Sequence, residues 1–146
     1  METLKVKKLN PQAFLPRRAT PHSAGADLSA CIGSPLLLQA GGMCVIPTGI
    51  AVEIQPGWVG LVFGRSGLGI KHGIAPSNAV GVIDADYRGE VCVGLINHGG
   101  EDYLIQPGER IAQLILMPVA AAQIIEAQEL SQTARGAGGL GSTGRQ

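Results

Sequence analysis

Glycine and proline decide what this chain can become: twenty-two glycines and nine prolines stand in 146 residues. They fall in clusters, and both residues cost a helix interior heavily. The clusters at Gly41-Gly42, Pro47-Thr48-Gly49, Pro56-Gly57, His98-Gly99-Gly100 and Pro107-Gly108 each read as a turn. Between them the chain alternates or runs β-branched, over 4–9, 36–39, 49–54, 58–63, 90–96 and 110–117. In the 49–54 piece a period of two puts Ile50, Val52 and Ile54 on one face and Glu53 on the other, the pattern of a half-buried strand. The spacing predicts an all-β fold, a jelly-roll-like distorted barrel of short antiparallel strands with a flexible C-terminal tail. At most one short helix is expected, over 67–72, with Ser66 as its cap.

A 45% apolar fraction over this length suits one core in one domain. Aromatics make up only 3%, namely Phe14, Trp58, Phe63, Tyr87 and Tyr103. The core is therefore expected to be Val, Ile, Leu and Ala, and the stacking platform of single-strand binders is absent. The formal net charge of zero gives no general attraction for nucleic acid or an anionic membrane. Any bound anion must be gripped locally. The start, METLKVKKLNPQ, lacks the apolar core of a signal peptide, and the most apolar stretch, 111–125, is broken by Gln113, Pro118 and Gln123. Cys31, Cys44 and Cys92 are scattered without a C-x-x-C pair and read as buried thiols of a reducing, cytoplasmic compartment. His22, His72 and His98 have no metal-ligand spacing.

Five polar segments interrupt this pattern. In Gly64-Arg65-Ser66-Gly67, at a strand end, backbone N–H groups, a forked guanidinium and a hydroxyl together suit a phosphate. The same residues also make a tight turn with Ser66 an ordinary cap and Arg65 solvated. Residues 78–92 read as a strand, a polar turn and a returning strand, a hairpin whose open end can present main-chain groups to a base, with Asn78 adding a donor and an acceptor. Either Asp84 or Asp86 could polarise water there, or simply favour the turn; residue parity does not separate them. Asp27 in Ala24–Leu28 and Gln113 in Gly108–Leu114 lie inside apolar strands and need partners, structural or ligand. Residues 135–144 contain G-x-G-x-x-G at Gly136, Gly138 and Gly141 but no following helix, and Gly136 and Gly141 keep P-loop spacing without its lysine. What remains is Arg135, Ser142, Thr143 and several glycine amides, suited to phosphate oxygens. The composition alone also fits a disordered tail.

Taken in order, A-G-A-D-L, G-R-S-G, G-V-I-D-A-D-Y-R-G, G-E-R-I-A-Q-L and R-G-A-G-G-L-G-S-T-G resemble the five motifs of the trimeric dUTPase family, across residues 24–144. The resemblance implies hydrolysis of dUTP to dUMP and pyrophosphate, which supplies dUMP and keeps uracil out of DNA. It implies a homotrimer with sites shared between subunits. Residues 1–130 would form the β-barrel domain and 131–146 a mobile glycine-rich lid. By position, Asp84 would activate the water that attacks the α-phosphorus in line. Tyr87 would lie against the deoxyribose, and Asn78 with the main chain around Val82, Ile83 and Cys92 would read uracil. Arg65, Ser66, Gly67 and Gln113 would hold the α/β-phosphates, and Arg135, Ser142 and Thr143 the γ-phosphate. Mg2+ would bridge the phosphates, with Asp27 touching it only through water. A dCTP deaminase, a related fold, would instead need an acid/base arrangement at cytosine C4. A non-catalytic nucleotide- or protein-binding jelly roll is the other alternative.

Two positions depart from the family pattern. Gly64 stands where proline is usual, and Leu140 where phenylalanine is usual. Leucine still excludes water from a base, and aromatic pairing adds only about 0.5–1.5 kcal/mol beyond area. Leu140→Phe is therefore expected to improve kcat/KM by no more than about tenfold, measured as pyrophosphate release from dUTP.

Overall fold

The computed structural model describes residues 3–139; Leu140, Ser142 and Thr143 lie outside the described residues. Chain order is β1 (Lys5–Lys8), β2 (Ala26–Ser29), β3 (Leu36–Leu38), β4 (Met43–Pro47), β5 (Ile50–Glu53), β6 (Trp58–Gly64), α1 (Ser66–His72), β7 (Ile74–Pro76), β8 (Gly81–Ile83), β9 (Cys92–Asn97), β10 (Tyr103–Ile105) and β11 (Arg110–Pro118). All six strand regions read from the sequence are present. Their pairing is antiparallel throughout, in four sheets: β1-β5, β3-β10, β2-β11-β6-β8 and β4-β9-β7. The barrel does not close into one ladder, because turns and register breaks separate the sheets.

Every strand except β1 contributes a buried aliphatic side chain to one core, among them Leu28, Ile46, Ile50, Val62, Ile83, Leu95 and Leu114. No aromatic is fully buried; Trp58 and Tyr103 only pack against its edge, as the sparse aromatic content requires. Ile50 and Val52 in β5 and Ile54 just after it are buried and Glu53 is exposed, as alternation requires, but Ala51 on the opposite face is buried as well. At the far end of the core, fully buried Asn97 satisfies its side chain by donating to the carbonyls of Leu38 and Glu101 and accepting from the Gly99 N–H.

Three expectations are corrected. The helix begins at Ser66, not Gly67: Arg65 holds the cap position with extended backbone (φ −94°, ψ 134°), and no side chain caps the end. Gly73 stops it at φ 70°, a left-handed conformation that favours glycine. The cysteines are not buried: Cys31 and Cys44 are half-buried and Cys92 is exposed. Cys92 opens β9 on the outward side of its sheet, where alternation sends Val93 and Leu95 inward.

The third correction concerns residues 78–92, which do not form a hairpin. β8 pairs with β6 (Ile83 opposite Gly60), whereas β9 lies between β4 and β7 (Cys92 opposite Pro47). The eight residues between β8 and β9 cross from one sheet to another, because β8 pairs with β6 and β9 is paired on both sides, by β4 and β7.

Candidate active site

The crossover leaves a cavity of about 320 Å³ between the sheets. Its walls include Asn78, Val82, Ile83, Asp84, Tyr87, Glu90 and Cys92, together with Val62 and Gly94. Asp84 lies just past the end of β8, exposed, and its carbonyl accepts the Tyr87 N–H at 3.2 Å in a turn. Asp86 is not among the lining residues, so the tertiary structure separates two aspartates that sequence parity left equivalent. Gly81 and Gly94 keep the walls close: a side chain at Gly94 would collide with the Ser77 hydroxyl, and one at Gly81 would crowd Val62.

The far wall is tied down by residues the sequence reading did not single out. Fully buried Thr48 donates its backbone N–H (3.2 Å) and its hydroxyl to the Val91 carbonyl. The Gly49 N–H donates to Glu90 Oε1 at 2.7 Å, and Tyr87 Oη donates to the Glu90 carbonyl at 2.9 Å. The only sequence signal for this was the Pro47-Thr48-Gly49 turn, whose partner is some forty residues away.

A second cavity, of about 350 Å³, lies where β6 runs into α1. Arg65, Ser66, Gly67, Gln113 and Asp27 line it, beside Gly25 and Ser23. Gln113 lies opposite Asp27 across the β2-β11 ladder. Its Nε2 donates to the Gly64 carbonyl at 2.8 Å, and a side chain at Gly25 would collide with its Oε1. Asp27, with its side chain only 14% exposed, accepts from Arg65 Nε on one oxygen and Arg110 Nη1 on the other, each at 3.0 Å. Arg65 also donates from Nη1 to the Arg110 carbonyl at 3.1 Å. Two guanidiniums against one carboxylate leave a net positive charge at this wall, in a chain of zero formal charge. Gly67 has open space around its Cα, whereas a Cβ at Gly64 would lie 3.0 Å from Pro76 Cδ.

After Pro118 no described residue pairs in a ladder. Arg135, exposed, donates from Nε to the Gly138 carbonyl at 3.0 Å within its own turn. Among the described residues no three carboxylate, imidazole or thiol groups converge as a metal centre, and no helix is long and apolar enough to cross a membrane.

The dUTPase family model matches residues 12–144. This chain belongs to the dUTPase family. Its relatives include a deoxyuridine 5'-triphosphate nucleotidohydrolase of Psychrobacter cryohalolentis, 51% identical over an alignment spanning 100% of both chains. A dUTPase mutant of Staphylococcus bacteriophage 80alpha, solved with dUpNHpp, superposes with a TM-score of 0.89 at 29% identity, over 99% of each chain. A mutant dUTPase from phage phi11 of S. aureus, whose structure concerns coordination of a structural Mg(II) ion, has a TM-score of 0.79 at 27% identity, covering 88% of this chain and 98% of its own. The family resemblance of the five motifs and the all-β fold are thus borne out.

The thiol of Cys92 faces the first cavity with a raised pKa, pushed up first by burial and then by the neighbouring Glu90 carboxylate. A raised pKa keeps the neutral thiol dominant to higher pH, and only the thiolate alkylates quickly. At pH 8, Cys92 should react with iodoacetamide more slowly than free cysteine, its rate rising as pH passes the ordinary thiol range. Peptide mass spectrometry over a pH series measures this; a rate above that of free cysteine at pH 8 contradicts the assignment.

Proposed function

We propose that this protein hydrolyses dUTP to dUMP and pyrophosphate, with Asp84 activating water for in-line attack on the α-phosphorus. The observation that carries the reading is the place of Asp84: at the lip of a cavity whose other walls are Asn78, β8 and β9 main chain, and Tyr87. A base entering there meets Asn78 and the backbone around Val82, Ile83 and Cys92, which can match the N3–H and O4 of uracil. Cytosine reverses that pattern and leaves groups unpaired. The sugar then lies towards Tyr87, and the phosphates go to the positive wall of Arg65, Ser66, Gly67 and Gln113.

The base and phosphate cavities share no lining residue. This supports a site assembled between subunits of a homotrimer. A second observation supports the same assembly. On the β4-β9-β7 sheet the outward positions are Met43, Val45 and Pro47 on β4, Cys92, Gly94 and Ile96 on β9, and Ala75 on β7. All are apolar, and Met43 and Val45 are each 68% exposed. A contiguous apolar sheet face marks an interface, and Cys92 and Gly94 join this face to the base cavity. The tail from residue 131, carrying Arg135 and, outside the described residues, Leu140, Ser142 and Thr143, would cover the nucleotide and hold the γ-phosphate.

The Asp27 carboxylate beside the phosphate wall fits Mg2+ held mainly by phosphates and water. Each Asp27 oxygen keeps a lone pair free of its arginine for a metal-bound water. When bound, the ion neutralises charge as pyrophosphate leaves. Exposed, unpaired Cys92 suits the reducing cytoplasm.

Asp84→Asn should abolish turnover yet retain binding of a non-hydrolysable dUTP analogue; surviving activity would move the base to Asp86. Incubation with dUTP and with dCTP, assayed for pyrophosphate and ammonia, should yield pyrophosphate from dUTP alone, and ammonia from dCTP would establish a deaminase instead. Val45→Asp places a charge on the apolar sheet face and should convert the trimer to monomer. Light scattering behind size exclusion measures this, against a chain mass of 15.0 kDa.

A further inference from the structure

The return limb of the crossover is held from two directions, and Glu90 is the residue on which both act. From the β4–β5 turn, the Gly49 N–H donates to the Glu90 carboxylate at 2.7 Å. The position of that N–H is set by the fold: Gly49 has φ 69°, and a side chain there would press to 2.8 Å from Ala13 Cβ and 2.7 Å from Cys31 Sγ. On the cavity side, Tyr87 Oη donates to the Glu90 carbonyl at 2.9 Å. Gly89 leaves the room for it, since a side chain at 89 would collide with the Tyr87 hydroxyl. Val91, next in the chain, is fixed by its N–H to the Ile50 carbonyl at 2.8 Å and by Thr48 on its own carbonyl. Tyr87 itself is 46% exposed, its ring lying over Gly89. Its hydroxyl bond to the Glu90 carbonyl is the polar restraint on the ring.

We propose that Glu90 is a positioning residue for sugar discrimination: its carboxylate anchors the 89–91 peptides to Gly49, and its carbonyl holds the Tyr87 ring against the nucleotide sugar. The proposal rests on the reading above that Tyr87 lies against the deoxyribose. A ring held in place has no room for a 2′-hydroxyl; a ring whose acceptor swings with a loosened peptide yields to one. Discrimination against one added hydroxyl is a difference between two transition-state affinities, so it responds to ring placement even where dUTP turnover changes little. Glutamine retains a side-chain carbonyl for the Gly49 N–H, and alanine does not.

The test is kcat and KM for dUTP and for UTP on the full chain, with melting temperatures, for the natural protein, Glu90→Ala, Glu90→Gln and Tyr87→Phe. The expected result is a fall of about tenfold or more in the ratio of kcat/KM for dUTP over UTP in Glu90→Ala, the size expected from losing a charge-assisted hydrogen bond. Glu90→Gln should restore most of the ratio, and Tyr87→Phe should lower it, because it breaks the same link from the other end. A purely structural role for Glu90 would lower the melting temperature and leave the ratio alone; an unchanged ratio in folded Glu90→Ala overturns the proposal. If Glu90→Ala does not fold, Tyr87→Phe decides, and an unchanged ratio there overturns it equally. Failure of the natural protein to prefer dUTP over UTP would instead overturn the placement of Tyr87, and this proposal with it.

Discussion

The pairing of β8 with β6 and of β9 with β4 and β7 is the constraint on which the rest of the site depends. Two strands eight residues apart in sequence are near enough to pair as a long-looped hairpin. Here β8 lies against β6 and β9 between β4 and β7, and the segment between them must span two sheets. Backbone groups that a hairpin would have consumed in its own ladder are left at the edges of a cavity. The cost of leaving them there is limited because they face solvent or a ligand rather than the apolar core. Crossing segments of this kind need anchors, and the Thr48–Ile50 turn supplies them through Val91 and Glu90.

Charge is organised by the same economy. A chain without net charge can concentrate cations only by ordering a few of them, and Asp27 does this from within β2. Desolvation offsets most of the Coulomb gain of a partly buried ion pair, and exposed pairs such as Lys5 with Glu53 contribute about 0–1 kcal/mol. The Asp27 carboxylate therefore matters more for where it holds Arg65 and Arg110 than for any surplus stability. It fixes Arg65 beside Ser66, Gly67 and Gln113 while leaving part of the guanidinium free to donate.

The apolar outer face of the β4-β9-β7 sheet ties these features together. β9 presents Val93 and Leu95 to the core, Cys92 and Gly94 to the cavity, and Ile96 beside Met43 on the outer face. A short strand with three duties has little freedom to vary, and period-two alternation is what lets one segment serve both core and surface. The proposed assembly, the base cavity and the core thus meet on six residues, Cys92–Asn97.

Much of this was determined by the sequence alone. Glycine and proline clusters imposed turns, alternation in 49–54 put Ile50, Val52 and Ile54 inside, and the scarcity of aromatics required an aliphatic core. All are local consequences of backbone freedom and side-chain period. Five ordered motifs were enough to mark the family, since family membership is carried by residue identity and order. The tertiary structure alone decided that Asp84 lines a cavity while Asp86 does not, that Arg65 rather than Ser66 takes the helix cap position, that Cys92 is exposed, and that Glu90 lines the site wall which Thr48 anchors from behind. Each of those depends on which distant strand a segment pairs with. Pairing is settled by competition among all the edges of the fold, not by any residue's own neighbours in sequence.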